Sequence, residues 1–126
     1  MKRHLNQHLK RHLAIALLSA SILILPATPW AADPAAGEAG WIKEYPQTDG
    51  SKPRSCVTCH GRDLTQPGRH ANTGKVIEPL APSVNPERLT DSAKIEKWLG
   101  RNCRWTLGRE CTAGEKADFI AYIKTQ

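Results

Sequence analysis

The chain has 126 residues and a formal net charge of +6, from 18 Lys and Arg against 12 Asp and Glu, which suits one small domain. The basic excess lies at the front: Lys2, Arg3, Lys10 and Arg11 are four of the 18, no acidic residue precedes Asp33, and residues 33–126 therefore carry only +2. With that near-balance, no long basic run and no nucleic-acid motif, the composition argues against a nucleic-acid-binding protein.

In chain order, the basic start is followed by an apolar run from Leu13 to Leu25 and then by Pro26, Ala27, Pro29, Ala31 and Ala32. That is the layout of a secretory signal peptide. A retained membrane anchor would need about 20 apolar residues, more than this run supplies. The expectation is a signal peptide over residues 1–32, cut near Ala31 or Ala32, although Trp30 spoils a clean A-x-A site. Residues 33–126 are then one exported domain. All four cysteines lie in it, in a compartment where disulfides persist. A domain this small buries a modest core and profits from a cofactor or a cross-link.

Residues 33–40 are rich in Ala, Gly and Pro and read as a frayed start. Gly37 to Tyr45 reads as a short helix with Trp41, Ile42 and Tyr45 on one face, stopped by Pro46. Residues 47–54 read as a polar loop. Ser55 is positioned to cap a helical turn carrying Cys56 to His60. Residues 61–90 hold so many Gly and Pro that long helices and central strands are not expected there. An irregular stretch of that length needs a surface to pack on. Thr90 or Asp91 opens the next helix, with Ile95, Trp98 and Leu99 on one face and Gly100 weakening its end. The last helix opens on a capping box, Thr112-Ala113-Gly114-Glu115, and carries Phe119, Ile120 and Ile123 on its apolar face beside Tyr122. No run alternates with period 2, so the fold class is all-α.

Cys56-Val57-Thr58-Cys59-His60 is C-x-x-C-H, the pattern of covalent haem attachment. Two residues between the thiols put both sulfurs on one turn, each within reach of a different vinyl group. The next residue, His60, then offers an imidazole to the iron as proximal ligand. A thioredoxin-like redox pair would need a βαβ unit, which is missing. A zinc site would draw on Cys56, Cys59, His60 and Cys103 or Cys111. Export favours one haem c, held by Cys56 and Cys59.

The only methionine is Met1, which rules out the Met/His ligation of electron-transfer cytochromes c for the exported domain. His70 is the other histidine of residues 33–126, and a solvated loop residue is its plainer reading. The iron is thus expected to be five-coordinate or to hold a weak sixth ligand. With two cysteines on haem, Cys103 and Cys111 remain to form a disulfide around a short loop, worth about 2–3 kcal/mol by loop-closure entropy. Taken alone, Asn102 reads as a helix C-cap.

Arg54-Ser55-Cys56-Val57-Thr58-Cys59-His60-Gly61, Asp63-Leu64-Thr65, Gly74-Lys75-Val76-Ile77-Glu78-Pro79, Ala81-Pro82-Ser83-Val84-Asn85-Pro86 and Arg101-Asn102-Cys103 through Gly108-Arg109-Glu110-Cys111 together resemble the sphaeroides haem protein family. The resemblance covers about residues 40–125. It implies a class I cytochrome c-like fold, a single domain around one covalent haem. It further implies that an asparagine amide, at Asn102 here, is the sixth ligand of ferric iron and leaves on reduction, beside a disulfide at Cys103 and Cys111. The ferrous iron would then take O₂, NO or CO. A dihaem cytochrome c and a membrane cytochrome b are the implied redox partners, in the periplasm. Two alternatives stand: a plain electron carrier with a fixed sixth ligand, for which His70 is the first residue to test, and a small haem oxidase or reductase, for which His70 is the one candidate distal acid–base group. Arg54, Lys75 and Arg101 are candidates for pairing with haem propionates, each with a solvated charge as its plainer reading.

Overall fold

The computed structural model describes residues 31–126, in the order α1 (Pro34–Ile42), α2 (Val57–His60), β1 (Gly68–Arg69), β2 (Val76–Ile77), α3 (Ser92–Leu107) and α4 (Ala113–Lys124). The signal-peptide reading lies outside the described residues, apart from Ala31 and Ala32.

The first helix begins earlier than expected, because its start signal is local and strong. Asp33 is extended, its carboxylate accepts the Ala35 N–H at 2.8 Å, and Pro34 fills the first helical position, where the lack of an N–H does no harm. Residues 34–40 are therefore helical rather than frayed. The helix stops at Ile42, so Tyr45 is not on it. Tyr45 instead forms an antiparallel bridge with Arg54, each N–H donating to the other's carbonyl at 2.8 and 3.1 Å. Of the three residues expected on one face, Trp41 is buried and Ile42 is exposed.

Two close backbone approaches let α1 lie against α4. A Cβ on Gly37 would collide with the Asp118 carbonyl, and one on Gly40 would sit 2.9 Å from the Phe119 ring. Trp41 consequently reaches Phe119 and Tyr122, with ring centroids at 6.2 and 5.9 Å. Burying each such side chain contributes about 2 kcal/mol, and aromatic pairs add about 0.5–1.5 kcal/mol. At the start of α1, the Asp33 N–H donates to Asp118 Oδ1 at 2.8 Å.

The capping box on α4 forms as the sequence dictates: Thr112 accepts from Glu115 N–H at 3.1 Å and Glu115 accepts from Thr112 N–H at 2.8 Å. Phe119, Tyr122 and Ile123 are its buried residues, while Ile120 is only partly covered. Asp91 opens α3, accepting the Lys94 N–H at 3.0 Å. Gly100 does not end this helix, which continues to Leu107 and stops at Gly108 with φ +72°. One interior glycine costs about 1 kcal/mol, which the buried face of a 16-residue helix outweighs.

Residues 61–90 contain one departure from the all-α expectation, an antiparallel ladder pairing Gly68 with Ile77 and Arg69 with Val76. Strands of two residues are too short to show alternation. Elsewhere in this stretch backbone groups are taken up by local turns, by side chains and by Leu64. The buried Leu64 carbonyl accepts from Leu80 and Ala81 N–H, both at 3.0 Å, and Pro79 O accepts from Asn85 Nδ2 at 3.1 Å and Arg88 Nε at 2.9 Å.

Candidate haem site

The cysteine turn is built by hydrogen bonds on both sides. Ser55 does not cap it through its hydroxyl as expected. The cap runs the other way, from Ser55 N–H to Thr58 Oγ1 at 3.0 Å, while Thr58 N–H returns to Ser55 O at 3.1 Å. His60 N–H donates to Cys56 O at 3.1 Å, which puts Cys56 and Cys59 on one side of a single turn. Gly61, at φ +73°, then takes the chain away. Both cysteines are half-buried and unpaired, so two thiols remain available to two thioether bonds. Burial pushes the Cys56 thiol up to about 12, far from the thiolate of a redox-active C-x-x-C pair.

His60 follows directly. Burial, with the positive charge of Arg88 beside it, pushes its imidazole down to about 4. A neutral ring with a free nitrogen lone pair is what a metal requires. Its orientation is set from behind by Trp41, whose ring centroid lies 5.4 Å away and whose Nε1 points at Gly61 O at 3.5 Å. The β1 strand leans on the turn from another side. Gly68 approaches so closely that a Cβ would run into the Cys59 carbonyl and reach His60 Cα at 3.0 Å. Ala71 N–H points at Cys59 Sγ at 3.4 Å.

On α3, Asn102 is not a C-cap. It lies inside the helix, five residues before its end, and is exposed. At 3.6 residues per turn, its neighbours on the same face are Trp98, Leu99, Trp105 and Thr106. One flank of that face is covered: Cys103 and Thr106 are each 3% exposed. The other is open, with Trp98 50% exposed. Trp98 is thus not the core residue its apolar spacing suggests. Val57, Leu80, Leu89, Leu99 and Leu107 are likewise only partly covered where they meet the core. An amide set among apolar and aromatic side chains that protein covers on one flank fits a flat, apolar ring with a metal at its centre.

Cys103 and Cys111 are joined, with Cα atoms 5.6 Å apart, and both are buried. The bond ties the last turns of α3 to the start of α4. The zinc set considered above is therefore not assembled, and no group of three or more His, Cys, Asp or Glu suited to a metal occurs among the described residues. His70 sits exposed in the turn between β1 and β2, where its Nδ1 accepts from Asn72 and Thr73 N–H at 3.2 and 3.3 Å. Of the proposed propionate partners, Lys75 is exposed and Arg101 lies over the Trp98 ring at 5.1 Å. Arg54 is committed elsewhere, to the Trp105 carbonyl and ring. Sequence reasoning missed that last contact, for no spacing rule links residues so far apart in the chain.

A helical domain that carries a C-x-x-C-H turn with a buried, neutral imidazole, and a helix whose apolar face is only half covered, has the makings of a monohaem class I c-type cytochrome. Known proteins agree. A family model described as a domain of unknown function, DUF1924, matches residues 27–123. Cytochrome c-type protein SHP of Cereibacter sphaeroides is 53% identical over 95 residues, covering 74% of this chain and 73% of that one. The solved structure of oxidised SHP, an oxygen-binding cytochrome c, superposes with a TM-score of 0.68 at 49% identity, covering 75% of this chain and 83% of that one. Oxidised cytochrome c″ from Methylophilus methylotrophus gives a TM-score of 0.69 at 36% identity over 76% and 77% of the two chains. The chain belongs to the sphaeroides haem protein family and carries one covalent haem c.

Proposed function

We propose that this protein is an exported cytochrome whose ferrous haem binds O₂, and with it NO and CO, and which exchanges electrons with a partner cytochrome. The observation that carries the reading is the position of Asn102, a lone amide on the half-covered apolar face of α3. Haem c supplies an iron that changes oxidation state by one electron and accepts a small ligand when its sixth position is free. The chain supplies the rest. Cys56 and Cys59 fix the ring edge to the turn. His60 would hold the iron through a neutral imidazole, with Trp41 packed against its ring. Asn102 would offer a weak oxygen or nitrogen donor, adequate for ferric iron and too weak to stay on ferrous iron, so that reduction would leave the sixth position free for a π-accepting ligand. The Cys103–Cys111 bond stiffens the helix end from which that amide projects.

The likeness to oxygen-binding SHP supports this reading. The same family resemblance supports a dihaem cytochrome c and a membrane cytochrome b as redox partners, and a periplasmic location after removal of residues 1–32.

The test is an optical titration of the haem-loaded protein and of Asn102→Ala, oxidised, then dithionite-reduced, then exposed to CO. A high-spin ferrous spectrum that shifts promptly with CO, and a ferric spectrum that turns high-spin in Asn102→Ala, are expected. A low-spin ferrous spectrum unmoved by CO would overturn the proposal in favour of an electron carrier with a fixed sixth ligand.

A further inference from the structure

The loop that precedes the cysteine turn grips the end of α3. Arg54 Nη1 donates to the Trp105 carbonyl at 2.9 Å, and its guanidinium carbon lies 4.6 Å from the centre of the Trp105 ring. Gln47 Nε2 donates to the next carbonyl, Thr106 O, at 3.1 Å and to Tyr45 O at 2.7 Å. Both carbonyls belong to the last turn of α3, where a helix has no internal donors left. The guanidinium is braced from behind by Ser51 Oγ at 3.3 Å and the Asp49 carboxylate at 3.9 Å. The Tyr45–Arg54 bridge closes the loop at its base.

One end of this strap adjoins the C-x-x-C-H turn and the other adjoins Asn102. Arg54 stands two residues before Cys56. Trp105 and Thr106 stand three and four residues after Asn102, on the same face of the helix. The Cys103–Cys111 bond fastens α3 to α4, whereas the Arg54 strap fastens α3 to the haem-attachment turn itself. A planar guanidinium that both hydrogen-bonds and stacks fixes distance and direction together, which a lysine ammonium does not.

We propose that Arg54, through Trp105, is a positioning residue that sets the distance between the haem-attachment turn and the Asn102 amide, and so sets how firmly that amide holds the sixth position of ferric iron. The proposal rests on the reading of Asn102 as the sixth ligand. An amide is a weak ligand, so a small displacement of α3 shifts the balance between bound and free iron. The ferrous state, in which the amide has already left, is insensitive to the same displacement.

The experiment compares the haem-loaded wild type with Arg54→Leu, Arg54→Lys, Trp105→Leu, the Arg54→Leu/Trp105→Leu double variant and Asn102→Ala. It measures the ferric high-spin fraction by optical and electron paramagnetic resonance spectra, the rate of azide capture by ferric protein, and the rate of CO capture by ferrous protein. Arg54→Leu, Arg54→Lys and Trp105→Leu should each raise the ferric high-spin fraction and speed azide capture several-fold, with CO capture unchanged. The double variant should be no more perturbed than Arg54→Leu, since both changes cut one strap. If Arg54→Leu does not fold, Trp105→Leu and Arg54→Lys carry the comparison. Wild-type ferric behaviour in Arg54→Leu and Trp105→Leu would overturn the proposal. So would a silent Trp105→Leu alongside rescue by Arg54→Lys, which would make Arg54 a charge for the haem carboxylates. An unchanged ferric spectrum in Asn102→Ala would overturn the sixth-ligand reading and the strap with it. A high-spin Asn102→Ala beside silent strap variants would overturn the strap alone.

Discussion

Replacing Gly37 by alanine adds one methyl group where α1 crosses α4. That Cβ would stand 2.6 Å from the Asp118 carbonyl carbon and 2.8 Å from Tyr122 Cβ, and closer still to the Asp118 oxygen. Neither obstacle can rotate away, since one is backbone and the other is a Cβ. Overpacking of this kind costs about 1–3 kcal/mol, and fixed neighbours put it near the top of that range. Against it, alanine is the better helix former by about 1 kcal/mol. The net expectation is a loss of about 2 kcal/mol, which lowers the Tm of a domain this size by roughly 8–16 °C. Thermal melts of haem-loaded protein, followed by far-ultraviolet circular dichroism, measure it. Gly114→Ala is the internal control: near the start of α4, its Cβ would have nothing nearer than Thr112 Oγ1 at 3.9 Å, so its Tm should hold or rise. A Tm for Gly37→Ala at or above the wild type would refute the claim that this glycine is what lets the two helices touch.

Glu115 caps α4 and pairs with Arg109 through both carboxylate oxygens, at 2.7 and 2.8 Å. The Arg109 hydrogen bond, followed by the bonds from Thr112, pushes its carboxyl well below the ordinary glutamate range, down to about 2. A depressed carboxyl stabilises the fold above its unfolded value. That contribution, about 1 kcal/mol after discounting for solvent screening, should fade as pH falls from 4.5 toward 2. Urea titrations of wild type and Glu115→Gln should therefore differ at pH 7 and converge near pH 2. Replacing Cys103 and Cys111 together by alanine should cost about 2–3 kcal/mol on loop-closure entropy, read as a lower denaturation midpoint, and an unchanged midpoint would contradict it. If export removes residues 1–32, the new amino group falls on Asp33 N, the atom that donates to Asp118 Oδ1 at 2.8 Å. Intact-mass measurement should find a mature chain starting at Asp33, and Asp118→Asn should lower its stability more at pH 6 than at pH 10.

Features written in neighbouring residues were the legible ones. The capping box at Thr112 and Glu115, the cap at Asp91 and the C-x-x-C-H turn each depend on a few consecutive positions, and each forms. Where two local signals compete, composition alone does not decide between them. Glycine and alanine content made residues 33–40 read as frayed, while the Asp33-Pro34 cap started the helix there. Gly100 read as an end, although the buried face of α3 carried the helix past it. Asn102 reads alone as a helix C-cap, yet it lies inside α3; only the family resemblance points from it toward iron. Arg54 and Trp105 were illegible as a pair, since a stacking contact between distant segments leaves no periodic trace. Ile42 and Trp98 failed for the opposite reason: helical spacing tells which residues share a face, not whether protein covers it.

The packing of α1 on α4 brings together the first and last helices of the described domain, with the Asp33 amide on the Asp118 carboxylate. The wall behind His60 is thus completed only when the first and last described helices meet, a closure of long sequence separation with a correspondingly large entropy cost. Nearness of ends also makes the domain a candidate for circular permutation. Joining Gln126 to Asp33 through a short linker and opening the chain at the exposed turn between Asn72 and Thr73 would turn this long-range contact into a local one. Such a permutant should keep Trp41 against His60 and, with its contacts more local, fold faster than the natural order of elements does.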